Sequence, residues 1–555
     1  MKVDALSGAI SSLAVTNTSV TLSGTVAADT VTLSKATLSA TKQSSLAAGT
    51  ITLDGTTITN LASNPYVTLK ASDASGTLTV TKADGSNLTD AEAATVRSHV
   101  SYGTTVSING TTETVTASEA SKAKKAEAVA LGQEMQTAAT AIDMEELAAA
   151  NTRASHLSGD LFSNSLPKAS DLKVAGQVDA YEEKAEAYAA KVASLTAADF
   201  EAVETEVGEN TSATKNISTI SSILSGSTGF SALDHASGYE EGLKEAVVDA
   251  GRTLVAPVVG ASRAAELIGK ATEASIIRRT ETLRNPPPKT VQGGKPEGKD
   301  ALVNDHIWAD VRYNEVEINT NDYCGKTNTA LTNYQLGCDR KFSDKDYIGA
   351  FVSTSAGSFD FYSHSTATAN GNIHLAHAFG GGIYGTHIFD GGHYVDYLVY
   401  GSKFDSDFRE KNIKWGTRSL GAMFLLGWKK TIPHGTVNPY IAFSANKTQN
   451  EDMIWCGNVL ATRDQNKFGV KVGVDYAYKG GMFGGIAYSR SHGNPFDSSI
   501  NDIALPSLDN DEQILYLKLG YRGKLNQHTN FDIMGEQYLL DYNGWSMNGK
   551  LEIGF

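Results

Sequence analysis

The sequence predicts an all-β dominated, multi-domain chain. Its C-terminal part reads as a twelve-stranded antiparallel transmembrane β-barrel with a pore helix, and its N-terminal part as β-solenoid-like and helical segments. Three observations predict this. The aromatic content jumps partway along: of 22 Tyr, 18 Phe and 5 Trp, only Tyr66, Tyr102, Phe162, Tyr181, Tyr188, Phe200, Phe230 and Tyr239 precede Trp308. Beyond residue 306 apolar residues recur with period 2, the signature of strands with two unlike faces. The connections between these strands then alternate between tight turns and longer polar stretches.

The clearest strand is "KFGVKVGVDYAYKG". Phe468, Val470, Val472, Val474, Tyr476 and Tyr478 point one way, while Gly469, Lys471, Gly473, Asp475 and Ala477 point the other. "ILYLKLGYRGKL" repeats the pattern, with Leu515, Leu517, Leu519 and Tyr521 opposite Lys518, Gly520 and Arg522. Read from turn to turn, strands lie near 307–318, 331–342, 346–358, 372–389, 393–404, 416–432, 436–446, 466–479, 482–491, 512–525, 529–540 and 544–555. The tight turns are "SDK", "DGG", "PHG", "KGG" and "NQH". Strands one and two, three and four, five and six, seven and eight, and nine and ten are joined by the longer stretches, whereas the last connection, "DYNG", is short. Lipid cannot hydrogen-bond to an exposed backbone, so such a sheet must close on itself. Each descending strand ends in an aromatic suited to a membrane interface: Phe342, Phe389, Trp428, Tyr478, Tyr521 and the final Phe555.

These features resemble the autotransporter family, the β-domain of classical type V (type Va) secretion, over roughly residues 255–555. The resemblance rests on "IWADVRY" as first strand, the hairpin "GGGIYGTHIFDGGHYVDYLVYGSKF", "GGIAYSRSHG" and the terminal "LEIGF". It implies an assembly signal in the last strand, carried here by Leu551, Ile553 and Phe555. That signal usually has Gly near position 550, whereas this chain has Lys550 with Gly549 beside it. A bacterial outer-membrane location is implied too, with outer-membrane lipid, the barrel-assembly machinery and periplasmic chaperones as partners. A pore helix is also implied. "SRAAELIGKATEASIIRRTETLR", Ser262 to Arg284, fits: it would span about 35 Å at ~1.5 Å per residue. Its Arg278, Arg279 and Arg284 favour the negative helix end and would meet lumen carboxylates such as Asp475. "NPPPKTVQGGKPEGKD" breaks the helix ahead of the first strand.

Upstream, the β-prone triplets at 20–22, 31–33, 51–53, 67–69 and 78–80 suggest loose solenoid rungs within 1–116. Composition alone would equally describe a flexible Ser/Thr tract. Residues 117–230 turn helical and Ala/Glu/Lys-rich, with apolar stripes Leu131, Met135, Ile142 and Val178, Tyr181, Ala185, Tyr188. A linker with the pore helix at 262–284 follows over 231–299, and the barrel occupies 300–555.

The family implication is transport of the N-terminal passenger to the cell surface, uncleaved for want of an Asn pair ahead of the pore helix; the leading reading is a translocator that displays this passenger, adhesin-like or structural in role. The alternative is a porin-like outer-membrane pore whose N-terminal region is not secreted. A net charge of -15 argues against a nucleic-acid binder. "GGGIYG" formally matches a dinucleotide fingerprint but lies inside a strand pattern. His374, His377, His387 and His393 cluster in sequence, yet the first two fall on opposite strand faces, so no metal site is expected. No catalytic constellation is assembled and no cofactor is expected. Cys324 and Cys456 fall in long loops, where pairing and free thiols are both open. "MKVDALSGAI" is no signal peptide, although export of a barrel needs one, so the expectation is an incomplete or processed N-terminus.

Overall fold

The computed structural model describes residues 2–40, 44–58, 67–208, 210–225, 229–230, 233, 237–285, 305–319, 326–362, 370–526 and 528–554. The chain falls into two compact units, Met1–Asn151 with Lys173–Glu240, and Thr152–Leu172 with Glu241–Phe555.

In the first unit, parallel strands stack as rungs. Lys2–Thr16 pairs with Ser19–Ser34, which pairs with Thr37–Ala40 and Ser44–Asp54, followed by Val67–Ala71 and Thr77–Lys82. Val26 opposes Leu46 and Val31 opposes Ile51, so like residues superimpose into a continuous apolar column with Leu22, Leu33, Leu69 and Val80. This is the solenoid that the β-prone triplets mark. Helix Asp90–His99 opens with a capping box: Thr89 accepts from the Glu92 amide, and the Glu92 carboxylate accepts from the Thr89 amide at 2.7 Å. The helical segments are Glu119–Ala141, Met144–Ser155, Ala169–Val192, Ala197–Val207 and Thr211–Ser225. The first of them buries Ala128, Val129, Gly132 and Ala139, while Leu131 and Met135 of the expected stripe stay half-exposed. Small residues win that face because the neighbour comes close: a Cβ on Gly132 would lie 2.8 Å from Val207.

In the second unit, twelve antiparallel strands close into a barrel. They are β1 Asp305–Asn319, β2 Lys326–Lys341, β3 Asp346–Phe361, β4 Gly371–Ile388, β5 His393–Phe408, β6 Ile413–Trp428, β7 Gly435–Asn450, β8 Gln465–Tyr478, β9 Met482–Gly493, β10 Glu512–Lys524, β11 Thr529–Leu540 and β12 Tyr542–Gly554. Each pairs with its sequence neighbours, and β1 pairs with β12 over His306–Ile318 and Tyr542–Gly554, which removes both edges. The strands are those the alternation predicts, several of them longer. Because β5 and β6 run on to Phe408 and Ile413, their connection is only Arg409–Asn412, not the long stretch expected.

Along most strands side chains sort by face. Phe468, Val470, Val472, Val474, Tyr476 and Tyr478 are exposed on the outside, as are Leu517, Leu519 and Tyr521, whereas Lys467, Asp475, Glu512, Arg522, Asp532 and Glu536 are buried inward. The helix that fills the barrel runs from Tyr239 to Arg284, starting well before the expected Ser262. Gly251, Pro257 and Gly260 weaken any local helix signal there, and Pro257 lacks one backbone donor. From Leu254 onward nearly every face of the helix is buried, so tertiary packing rather than propensity holds this stretch. Gly269 lets it approach the wall: a Cβ there would lie 2.7 Å from the Tyr400 hydroxyl.

Candidate functional site

The strand ends give the pore two distinct rims. The short-turn rim holds Asp339, Asp396, Arg522, Asp532 and Glu552; the long-loop rim holds Asn450, Gln465, Lys467, Glu512 and Tyr542. The helix contacts both, with its C-terminus at the short turns.

At the short-turn rim Arg278 forks onto Asp532 at 2.9 and 2.5 Å, and Arg279 onto Asp339 at 2.6 and 2.8 Å. Arg279 Nη1 also lies 2.6 Å from Glu552, and Arg284 pairs with Asp396, which further accepts from Thr280 at 2.8 Å. Bidentate guanidinium–carboxylate pairs are the strong form of this contact. The last carbonyls of the helix are met by cations, Arg284 by Lys429 and Asn285 by Arg522. Asp475, the carboxylate expected to receive an arginine, does not. It pairs across the lumen face with Lys518 at 2.6 Å. Gly485 stands between them without a side chain; a Cβ there would collide with Asp475.

At the long-loop rim Arg263, Glu266 and Lys270 of the helix interlock with Glu512 and Lys467. Arg263 pairs with Glu512 and with Glu266, Lys467 lies 2.8 Å from Glu266 and Lys270 3.0 Å from Glu512. Above them, segment Thr152–Leu172 is held by the loops. Phe162 packs edge-on to Phe408 and Phe361, Trp455 donates to the Leu161 carbonyl at 2.9 Å, and Asn458 bonds both the Leu166 amide and the Asn164 carbonyl. Asn501 donates to the Pro167 carbonyl at 3.0 Å. Neither this segment nor the upper ion cluster was legible as a site. The only signal was the set of charged positions at three- to four-residue spacing in an Ala-rich helix. Between the rims the lumen holds a void of about 20 Å³ lined by Ala274, Ile277, Tyr440 and Tyr516, room for about one water.

Of the remaining predicted residues, Phe342, Phe389, Trp428, Tyr478 and Tyr521 are all exposed at or next to the short-turn ends of their strands. Leu551 and Ile553 are exposed outward, while Lys550 and Glu552 are buried. Phe555 and Cys324 lie outside the described residues, as does all of the linker after Asn285. Cys338 and Cys456 are free and exposed. The histidines take separate partners: His377 faces Asp405, His387 faces Asp346 and His393 stacks on Trp428.

Residues 307–463 match the family model described as the Autotransporter beta-domain. The matched stretch runs from β1 past the end of β7. Among solved structures the barrel is similar to the β domain of the Bordetella autotransporter BrkA, at 14% identity over 45% of this chain and 100% of that one, with a TM-score of 0.32. It is also similar to the translocator domain of the autotransporter NalP from Neisseria meningitidis, at 10% identity, 52% and 98% coverage and a TM-score of 0.35. The transport unit of the autotransporter AIDA-I from Escherichia coli matches at 18% identity, 48% and 94% coverage and a TM-score of 0.35. No curated protein matches the chain. The closed barrel is an outer-membrane β-barrel fold, and the family it matches over 307–463 is that of type V secretion.

Proposed function

We propose that this chain is an outer-membrane translocator that displays its own N-terminal half at the cell surface. One observation carries the reading. The lumen helix keeps Arg263 at the long-loop rim and Arg284 at the short-turn rim, so the chain preceding it leaves by the long loops. In outer-membrane barrels long loops face outward and short turns face the periplasm. Segment Thr152–Leu172, bound among the long loops, supports the same polarity. In this reading Arg278, Arg279 and Arg284 retain the helix in the pore after transport. Phe342, Phe389, Trp428, Tyr478 and Tyr521 form the periplasmic girdle. Leu551, Ile553 and Phe555 present the signal that the barrel-assembly machinery reads once periplasmic chaperones deliver the chain. The solenoid is an adhesive or structural passenger rather than an enzyme. A porin-like role is disfavoured, because the helix leaves little open lumen.

Protease added to intact cells tests the reading. Residues 1–240 should be degraded while the barrel survives, and permeabilised cells should give the same digestion. A passenger that is protected on intact cells and digested after permeabilisation sinks the display reading and favours the porin-like one.

A further inference from the structure

Only one ladder of the barrel cannot form as a hairpin. The β1–β12 seam joins residues from opposite ends of the domain, with Trp308 opposite Glu552, Ala309 opposite Leu551 and Asp310 opposite Lys550. Such non-local pairing bears the largest loop-closure cost and is formed slowly. Its register is also demanding. A slip of one residue would turn Lys550 and Glu552 toward lipid and Leu551 and Ile553 into the lumen.

One turn of the lumen helix touches every strand around this seam except β1 itself. Arg279 spends one edge of its guanidinium on Asp339 of β2, and its Nη1 forms an ion pair with Glu552 of β12 at 2.6 Å, outside hydrogen-bond geometry. Thr282 accepts a hydrogen bond from Lys550 of β12 at 2.7 Å. Arg278 forks onto Asp532 of β11, the strand that delivers β12. β1 joins through shared partners: His306 lies 3.2 Å from Asp339, and Trp308 donates to Tyr384, whose hydroxyl donates to Asp339. Arg279 and Asp339 are fully buried, so an arriving carboxylate and ammonium find fixed partners rather than water. Arg284, by contrast, pairs with Asp396 of β5, away from the seam.

We propose that the turn Arg278–Thr282 is an internal docking site for the closing strand. The last strand zips against β1 with its register read by Arg279 on Glu552 and Thr282 on Lys550. Helix insertion then precedes seam closure, and Arg279 acts as a positioning residue for β12.

The test uses the full chain with Cys324, Cys338 and Cys456 changed to Ser and a reporter pair, Ala309→Cys with Leu551→Cys, directly opposed across the seam. Chain unfolded in urea is diluted into detergent micelles, and disulfide formation at the pair is followed over time. Arg279→Gln should slow seam formation by about tenfold or more, the scale of one charge-assisted contact present in the transition state. Arg284→Gln, which breaks an equally buried pair on the same helix, should leave the rate within about twofold while lowering final stability. Glu552→Gln, which leaves the Arg279–Asp339 fork whole, should also slow seam formation severalfold. Equal slowing by Arg279→Gln and Arg284→Gln, or an unchanged rate in Glu552→Gln, overturns the proposal. Should Arg279 variants fail to fold, Lys550→Met with Thr282→Val serves instead, and an unchanged rate there overturns it too. Because the readout is in detergent, it is independent of where residues 1–240 reside on cells.

Discussion

The solenoid and the barrel use the same alternation of side chains and sort it in opposite directions. In the solenoid Leu22, Val31, Leu46, Ile51 and Leu69 face a shared apolar interior, and Thr25, Thr30, Thr37 and Thr81 face out. In the barrel Val472, Leu519 and Ile553 face out, and Asp339, Asp532, Glu536 and Lys550 face in. Period 2 says only that a strand has two unlike faces; the surrounding solvent decides which is the interior. Water drives apolar groups together in the solenoid. Lipid gives no such drive, so the barrel relies on closed backbone hydrogen bonding and on matched charges in its lumen.

The largest expected break in this contrast lies in the lumen. Lys518→Met leaves Asp475 buried opposite a methyl group and should cost about 3–5 kcal/mol, measured by urea unfolding of the barrel in lipid vesicles. Replacing both partners, Lys518→Met with Asp475→Leu, should recover most of that loss, since a matched apolar pair removes the orphaned charge. A double variant as unstable as the single one would mean that the lumen needs polarity for another reason.

A smaller effect tests the outer faces. Val472→Arg puts a charge on the lipid band and should cost about 2–4 kcal/mol if it sits near the midplane. Thr81→Arg, on the exposed face of a solenoid strand, should stay within about 0.5 kcal/mol. Vesicle refolding reads the first, and thermal unfolding of the full chain reads the second. Similar penalties in both would remove the claim that the two outer faces meet different solvents.

The sequence disclosed the barrel almost strand by strand because the strands are punctuated by turn chemistry and the clearest of them alternate strictly, although around 347–356 and 394–404 both faces carry apolar groups. The solenoid was visible only as triplets, since its rungs vary in length and Gly, Asp and Asn fall irregularly between them. The pore helix was read too short, as Pro257 and Gly260 hide a helix that the barrel wall enforces. The arginines were found as a group, but their partners were not. Which carboxylate meets Arg278 depends on which strands face the helix, and Asp475 was drawn away by Lys518 through the gap above Gly485. The segment that binds the long loops carries no periodicity at all. Besides the ring of Phe162, its contacts include backbone groups read by Trp455, Asn458 and Asn501, which no local pattern records.

The mildest prediction concerns charge in water, where the solenoid differs most from the lumen. Glu92 is exposed, and its carboxyl is held down to about 2, first by Lys82 at 2.9 Å and then by the Thr89 amide and hydroxyl. A depressed folded-state value means the ionised form is favoured by folding. Its contribution is therefore present above the ordinary value of 4.5 and is lost as the pH falls toward about 2. Hydrogen exchange over residues 86–101 of the full chain, corrected for the intrinsic pH dependence of exchange, should show the helix Asp90–His99 opening more readily across that window. Glu92→Gln should abolish most of the pH dependence, because the amide still reaches the Thr89 backbone but no longer titrates. A variant with the same pH response as the wild type would place the titrating group elsewhere and leave the capping box as geometry alone.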